Sequence, residues 1–188
     1  MSPSRIASTV IIESAWEVCN QVGGIYTVIR TKIPSIKQQM EPGRYVLVGP
    51  YFAKEADAVI DPLVPDESPI GKTIEHLRAA GWRVQHGIWL VSGRPEVVLI
   101  DPSSAPHSDA AMRDKVNSMT GAAVNEHDQL MRDVLRFGFG LFEFCRHSNL
   151  LFDEAGTSVI YHFHEWMAGL PLSMLKQDDV KESTPSPR

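Results

Sequence analysis

A doubly wound α/β sandwich is the fold class this sequence predicts, and three observations predict it. Short apolar runs without alternation, at 10–12 and 45–48, read as strands buried on both faces, as in a parallel sheet. A turn at Gly23-Gly24 leads from the first of these runs into a helical pattern. A later apolar run, Val159-Ile160-Tyr161, feeds another helical stretch, so strands and helices alternate as βαβ units require. The size agrees, since 188 residues with 43% hydrophobic and 22% charged side chains support one packed domain.

The first strand is expected over 8–12, followed by Glu13-Ser14. Ile25, Val28, Ile29 and Ile33 then recur at helical spacing, with Arg30, Lys32 and Lys37 on the wetter side. Pro34 should kink this helix or begin a second one. The run 45–48 before Gly49-Pro50 is a second buried strand closed by a turn. The stretch 51–68, rich in Pro, Asp and Ala, is expected to be an irregular insertion, and 73–80 a short helix stopped at Gly81. The runs 84–91 and 96–100, joined by Ser92-Gly93-Arg94-Pro95, should pair antiparallel as a hairpin. Residues 102–125 read as loop with a short helix around 110–118. From 125 to 147, Leu130, Val134, Phe137, Leu141 and Phe144 share one face of a core-packing helix. A last strand is expected over 156–163 and a helix over 165–175, confined or restarted at Pro171. Residues 1–175 thus form the domain, and the polar tail 176–188, which ends Ser183-Thr184-Pro185-Ser186-Pro187-Arg188, should be disordered.

Composition excludes several function classes. A net charge of -5 and a pI near 5.8 argue against gripping nucleic acid or an anionic membrane surface. They leave room for a phosphorylated small molecule, which needs only a local cluster of donors. No run of about 18 apolar residues spans a membrane, and no signal peptide is read at the N-terminus. Cys19 and Cys145 lie too far apart for a CxxC pair and are expected as reduced, buried thiols, which fits a cytoplasmic location.

In a sheet of this class, ligands sit at the carboxyl ends of the strands. That singles out two turns, Gly23-Gly24 and His162-Phe163-His164-Glu165. At the glycine pair the missing Cβ atoms let backbone N–H groups at a helix N-terminus approach a phosphate. A plain turn without a ligand fits the spacing equally well. The third glycine of G-x-G-x-x-G is absent, so NAD binding is disfavoured. Gly71-Lys72-Thr73 lacks the Walker glycine, Asp66 standing there instead, and is a chance match.

His162 and His164, placed at a strand end, are expected to point to opposite faces, one entering a cleft and one packing inward. Three readings stay open for them. A metal site is disfavoured, because the residue three after Glu165 is Ala168 and no H-E-x-x-H helix is present. A satisfied structural histidine is the second reading. The third is a polar site gathering hydroxyls, with Glu165 as N-cap or acceptor. For Trp82, Trp89 and Tyr51, core or interface packing is favoured over a sugar-stacking platform.

The run Glu13-Ser14-Ala15-Trp16-Glu17-Val18-Cys19-Asn20-Gln21-Val22-Gly23-Gly24-Ile25-Tyr26-Thr27-Val28 resembles the N-terminal segment of glycogen synthases of the eukaryotic type. His162-Phe163-His164-Glu165-Trp166-Met167-Ala168-Gly169 resembles that family's H-F-H-E-W-x-A-G segment. Both blocks stand in the family's order, with a hairpin-bearing stretch between them, and the resemblance covers most of 8–175. It implies the Rossmann-like N-terminal half of a GT-B glycosyltransferase, with a mostly parallel sheet and a hairpin insertion. It also implies transfer of glucose from UDP-glucose to an α-1,4-glucan such as glycogen, with retention and without metal or cofactor, and homo-oligomers among full-length members. Carried over residue by residue, His164 would contact the donor glucose with Glu165 and His162 as neighbouring support. Gly23 and Gly24 would lie by the donor's phosphates, where N–H donors stabilise the charge that builds as UDP departs.

Two departures from the family pattern bear on this. Gln21 stands where the family usually has Lys or Arg, which removes a phosphate-facing charge unless Arg30 or Lys32 substitutes. The chain also ends before the family's C-terminal domain, so the resemblance implies a truncated N-terminal fragment, inactive alone, with exposed apolar surface and an unpaired sheet edge. The alternatives are a non-catalytic fragment that binds a partner or a glucan and, more weakly, a glycosyltransferase using another sugar nucleotide.

Overall fold

The computed structural model describes residues 9–121, 123–125 and 127–182. Its strands are β1 (Thr9–Ser14), β2 (Tyr45–Pro50), β3 (Ile60–Pro62), β4 (Val84–Trp89), β5 (Glu96–Ile100) and β6 (Ser158–Phe163). Its helices are α1 (Gly24–Gln39), α2 (Ala53–Ala56), α3 (Pro69–Ala79), α4 (Asp109–Thr120), α5 (Gln129–Glu154) and α6 (Glu165–Glu182), with a 3₁₀ turn at Pro102–Ser104. One six-stranded sheet has the order β3-β4-β5-β2-β1-β6. β5, β2, β1 and β6 run parallel, and β4 and β3 extend the sheet antiparallel, so the expected hairpin of 84–91 with 96–100 is present.

The unalternating apolar runs are explained by burial on both faces. Val46 and Val48 enter one core together with Val98 and Ile100, while Tyr45 and Leu47 enter the opposite core with Val97 and Leu99. Successive side chains of a strand point to opposite faces, so each strand contributes to both. α1 covers one face through Ile29 and Ile33; residues of α3, α4, α5 and α6 fill the other. Val134, Phe137, Leu141 and Phe144 of α5 are buried as the periodicity predicts, whereas Leu130 near the helix start is exposed. α6 lies close on α5, since a Cβ on Gly138 would stand 2.6 Å from Leu170 Cδ2.

Several boundaries differ from the sequence expectation for local reasons. α3 begins at Pro69 rather than at 73, because Ser68 Oγ accepts from the Gly71 N–H and proline suits the first turn. The 51–68 insertion is not wholly irregular: it holds α2 and β3, the latter paired with β4. α1 runs unbroken through Pro34 and α6 through Pro171. α6 also continues to Glu182, into the stretch expected to be disordered, and residues 183–188 lie outside the described residues. Among the described residues, no helix is long and apolar enough to cross a membrane. Cys19 and Cys145 are free and buried, and burial pushes both thiols up.

The strand order reverses at β1. From β1 the chain crosses through α1 to β2 on one side, while β6 returns on the other side of β1. Such a switch point opens a crevice outside the carboxyl ends of the two strands. β6 is covered on one face only: Val159, Tyr161 and Phe163 pack into the core, whereas Ile160 is 53% exposed beside a groove bounded by Ile11, Ile36 and Met40.

The approach of β2 to the loop after β1 gives a test. A Cβ on Gly49 would lie 2.7 Å from Val18 Cβ and 3.1 Å from the Val18 carbonyl oxygen. Gly49→Ala should therefore cost about 1–3 kcal/mol, read as a lower urea midpoint. Gly24→Ala, whose Cβ would meet nothing within 4 Å, should not lower it.

Candidate functional site

The two turns singled out by the sequence are neighbours in space. β1 and β6 pair in parallel with Glu13 opposite His162 and Ser14 opposite Phe163, so the loop after β1 and the turn after β6 leave the same rim. The His164 backbone N–H donates to the Ser14 carbonyl at 2.9 Å and ties the turns together.

At this rim a carboxylate is buried. Glu13 is 1% exposed and ends the apolar run of β1 on the face that α1 covers. Its Oε2 accepts from the Tyr45 hydroxyl at 2.6 Å. Its Oε1 takes the Lys32 ammonium from α1 and the Nε2 of His164 at 2.5 Å. His162 Nδ1 stands 4.0 Å from the same oxygen. The two imidazoles lie on one side of the sheet with ring centroids 4.3 Å apart, which corrects the expectation of opposite faces. The reason is the strand's two-residue period: residues two apart share a face. His164 is 11% exposed and His162 50%.

Burial alone would push the Glu13 carboxyl up, but the hydrogen bonds from His164, Lys32 and Tyr45 outweigh it and bring the pKa down to about 2. Burial and the adjacent Glu13 charge push the Tyr45 phenol up. His162 is moved down by burial, then by His164 and Lys32, against the pull of Glu13. Glu13, His162 and His164 bring one ligand atom each within 4.8 Å of one another, and this is the group among the described residues that could hold a metal ion. The Lys32 ammonium already meets the same Glu13 oxygen, so a fixed organic cation fills the electrostatic role a metal would take.

At the glycine turn the structure brings in Glu17. Its Oε2 accepts from the Gly23 N–H at 2.7 Å and the Tyr26 N–H at 3.0 Å, so a buried carboxylate caps the positive end of α1. The Gly23 N–H expected to meet a phosphate is thus engaged, while Gly24 faces open space. Gln21 is exposed on the loop before it. Arg30 is not drawn into the cluster around Glu13; its guanidinium lies 5.2 Å above the Tyr26 ring. Glu165 is exposed at the start of α6 with φ +57°, where its charge complements the helix dipole.

Sequence reasoning missed Glu13, Lys32 and Tyr45 as members of this cluster. The available signal is an acid closing an apolar run that is buried on both faces, since a charge there must find partners. Further along the rim, beyond the ends of β2 and β5, Tyr51, Phe52, Arg83, Asp101, Ser103 and Arg136 line a polar pocket. Trp89 is fully buried and Trp82 donates to Glu143 Oε2 at 2.8 Å, so both tryptophans belong to the core.

The family profile described as glycogen synthase matches residues 13–184. The chain is 38% identical over 94% of its length to the glycogen [starch] synthase of Dictyostelium discoideum. It is 32% identical over 92% to that of Caenorhabditis elegans and 32% over 89% to the liver glycogen [starch] synthase of Mus musculus. It spans 19%, 26% and 23% of the length of these relatives, in that order.

The lowered Glu13 pKa predicts an acid-sensitive fold. A carboxylate depressed from 4.5 to about 2 contributes stability that is fully present above pH 4.5 and lost as pH falls toward 2. Denaturant unfolding should therefore lose about 3 kcal/mol across that window from this group. Glu13→Gln, which cannot titrate, should be less stable at neutral pH and show a correspondingly shallower acid slope.

Proposed function

Because this chain belongs to the glycogen synthase family, we propose that it supplies the sugar-handling rim of a retaining glucosyltransferase. The reaction is transfer of glucose from UDP-glucose to the non-reducing end of an α-1,4-glucan. The observation that carries this reading is the meeting of the β1 and β6 turns at the point where the strand order reverses.

In this reading His164 contacts the donor glucose, supported by His162 and Glu165. Gly23 and Gly24 lie by the donor's phosphates with Gln21 and Arg30 on the approach to them. Glu17 yields the Gly23 N–H when the diphosphate arrives, because a dianionic oxygen at a helix N-terminus competes well with a carboxylate. As UDP departs, these preorganised donors stabilise the charge on its phosphate. No resident metal or cofactor is required. The polar pocket beyond β2 and β5 offers hydroxyl-bonding groups to the acceptor glucan. The buried, unpaired cysteines suit the reducing cytoplasm.

The 188-residue chain by itself is proposed to be inactive, because the relatives it matches are several times longer. A second reading, a module that binds glucan or a partner without turnover, is favoured by the exposed Ile160, Trp166 and Leu172 on β6 and α6.

Incubating the purified chain with UDP-glucose and glycogen should give no transfer; turnover comparable to a full-length family member would overturn the need for further segments. Sedimentation with glycogen in the absence of transfer would favour the binding module. In a complete enzyme carrying these residues, His164→Ala should lower kcat about 100-fold or more with the fold intact. An unchanged rate would remove His164 from the site. A titration in which ADP-glucose binds more tightly than UDP-glucose would assign a different donor.

A further inference from the structure

We propose that Glu13 is a positioning residue for His164: by accepting the proton on Nε2 it holds the ring in a single tautomer and presents Nδ1 as an acceptor for a sugar hydroxyl. The proposal rests on the reading that His164 faces the donor glucose.

The contacts of the carboxylate decide the direction of each hydrogen bond. Glu13 is ionised and therefore accepts only. The Tyr45 hydroxyl donates to Oε2, and Lys32 and His164 Nε2 meet Oε1. Nε2 of His164 must then carry a proton, and in the neutral imidazole Nδ1 carries the lone pair. Among the described residues the His164 ring makes no second hydrogen bond, so Nδ1 is left for a ligand at the rim. The main chain is held separately, through the His164 N–H to Ser14 oxygen bond at 2.9 Å. Backbone and side chain of His164 are thus anchored to adjacent residues of β1, and the His162 ring, tilted by 35°, lies beside it. A sugar hydroxyl meeting Nδ1 would donate its own proton and leave its oxygen free to accept.

The cluster is also expensive to build for stability alone. A buried carboxylate has to be matched by donors from three other parts of the chain, and a well-packed apolar residue would avoid that demand. A role in orienting an imidazole accounts for the arrangement.

Long-range ¹H–¹⁵N correlation on the 188-residue chain reads the tautomer directly. The wild-type protein should show His164 wholly protonated on Nε2. Glu13→Gln keeps an acceptor oxygen and loses the charge, and should retain that tautomer. Glu13→Leu combined with Tyr45→Phe removes the acceptor without stranding a buried hydroxyl, and should lose the single tautomer. A wild-type His164 protonated on Nδ1 would overturn the proposal whether or not any variant folds. So would a folded double variant whose tautomer is unchanged. Addition of UDP-glucose to a complete enzyme carrying these residues separates this idea from the one beneath it. A perturbed Nδ1 resonance supports both, whereas the expected tautomer with no response to sugar nucleotide supports the positioning role of Glu13 and removes the donor-glucose assignment.

Discussion

A carboxylate sealed inside a parallel sheet has to be met by donors, and in this protein the need is met from three other parts of the chain. Glu13 sits on β1; Tyr45 reaches it from β2, Lys32 from α1, and His164 from the turn after β6. Leaving such a charge unpaired would cost several kcal/mol, so these elements are held in one arrangement by a common electrostatic demand. The same demand links the candidate site to the core. A change in the packing of α1 against the sheet moves Lys32, and a shift in the β1–β6 register moves both histidines.

Topology decides where that cluster lies. Because β6 returns beside β1 while the chain from β1 leaves through α1 toward β2, the carboxyl ends of β1 and β6 meet at the point where the strand order reverses, where sheets of this class bind their ligands. The loop that follows β1 is drawn tight beneath the rim, with Trp16 set edge-on against Phe52 and Phe137 at 5.4 and 5.8 Å between ring centroids. Glu17 from that loop caps α1 through the Gly23 and Tyr26 amides. Two acids of one short segment therefore have opposite electrostatic tasks: Glu13 gathers side-chain donors, and Glu17 neutralises a helix terminus. The contrast also separates the two halves of the rim. At the histidine side the donors are side chains held by a buried charge, and at the glycine side they are backbone amides whose anion is supplied from within the chain.

Much of this was legible in the residues themselves. The β1 and β2 runs announced their burial on both faces by lacking alternation, and the α5 face announced itself by the spacing of Val134, Phe137, Leu141 and Phe144. The glycine and histidine blocks, and the family they resemble, were legible because they depend on contiguous residue identity. Other features depend on partners far away in the chain. The start of α3 turned on a single cap at Ser68, and the pairing of β3 with β4 was hidden in a stretch without periodicity. The sidedness of His162 and His164 follows from the two-residue strand period, yet it became a shared site only when Glu13 was brought opposite His162.

What the sequence by itself determined was the order and character of most elements and the identity of the two candidate turns, because periodicity, caps and motifs act over a few residues. Only the tertiary structure decided that Glu13, Lys32, Tyr45 and His164 form one cluster, that Arg30 stays outside it, and that Glu17 occupies the α1 terminus. The Glu13–His164 contact joins positions 151 residues apart, and such a contact exists only once the parallel register of β1 with β6 has been set. No local pattern encodes that distance; the packing of the sheet does.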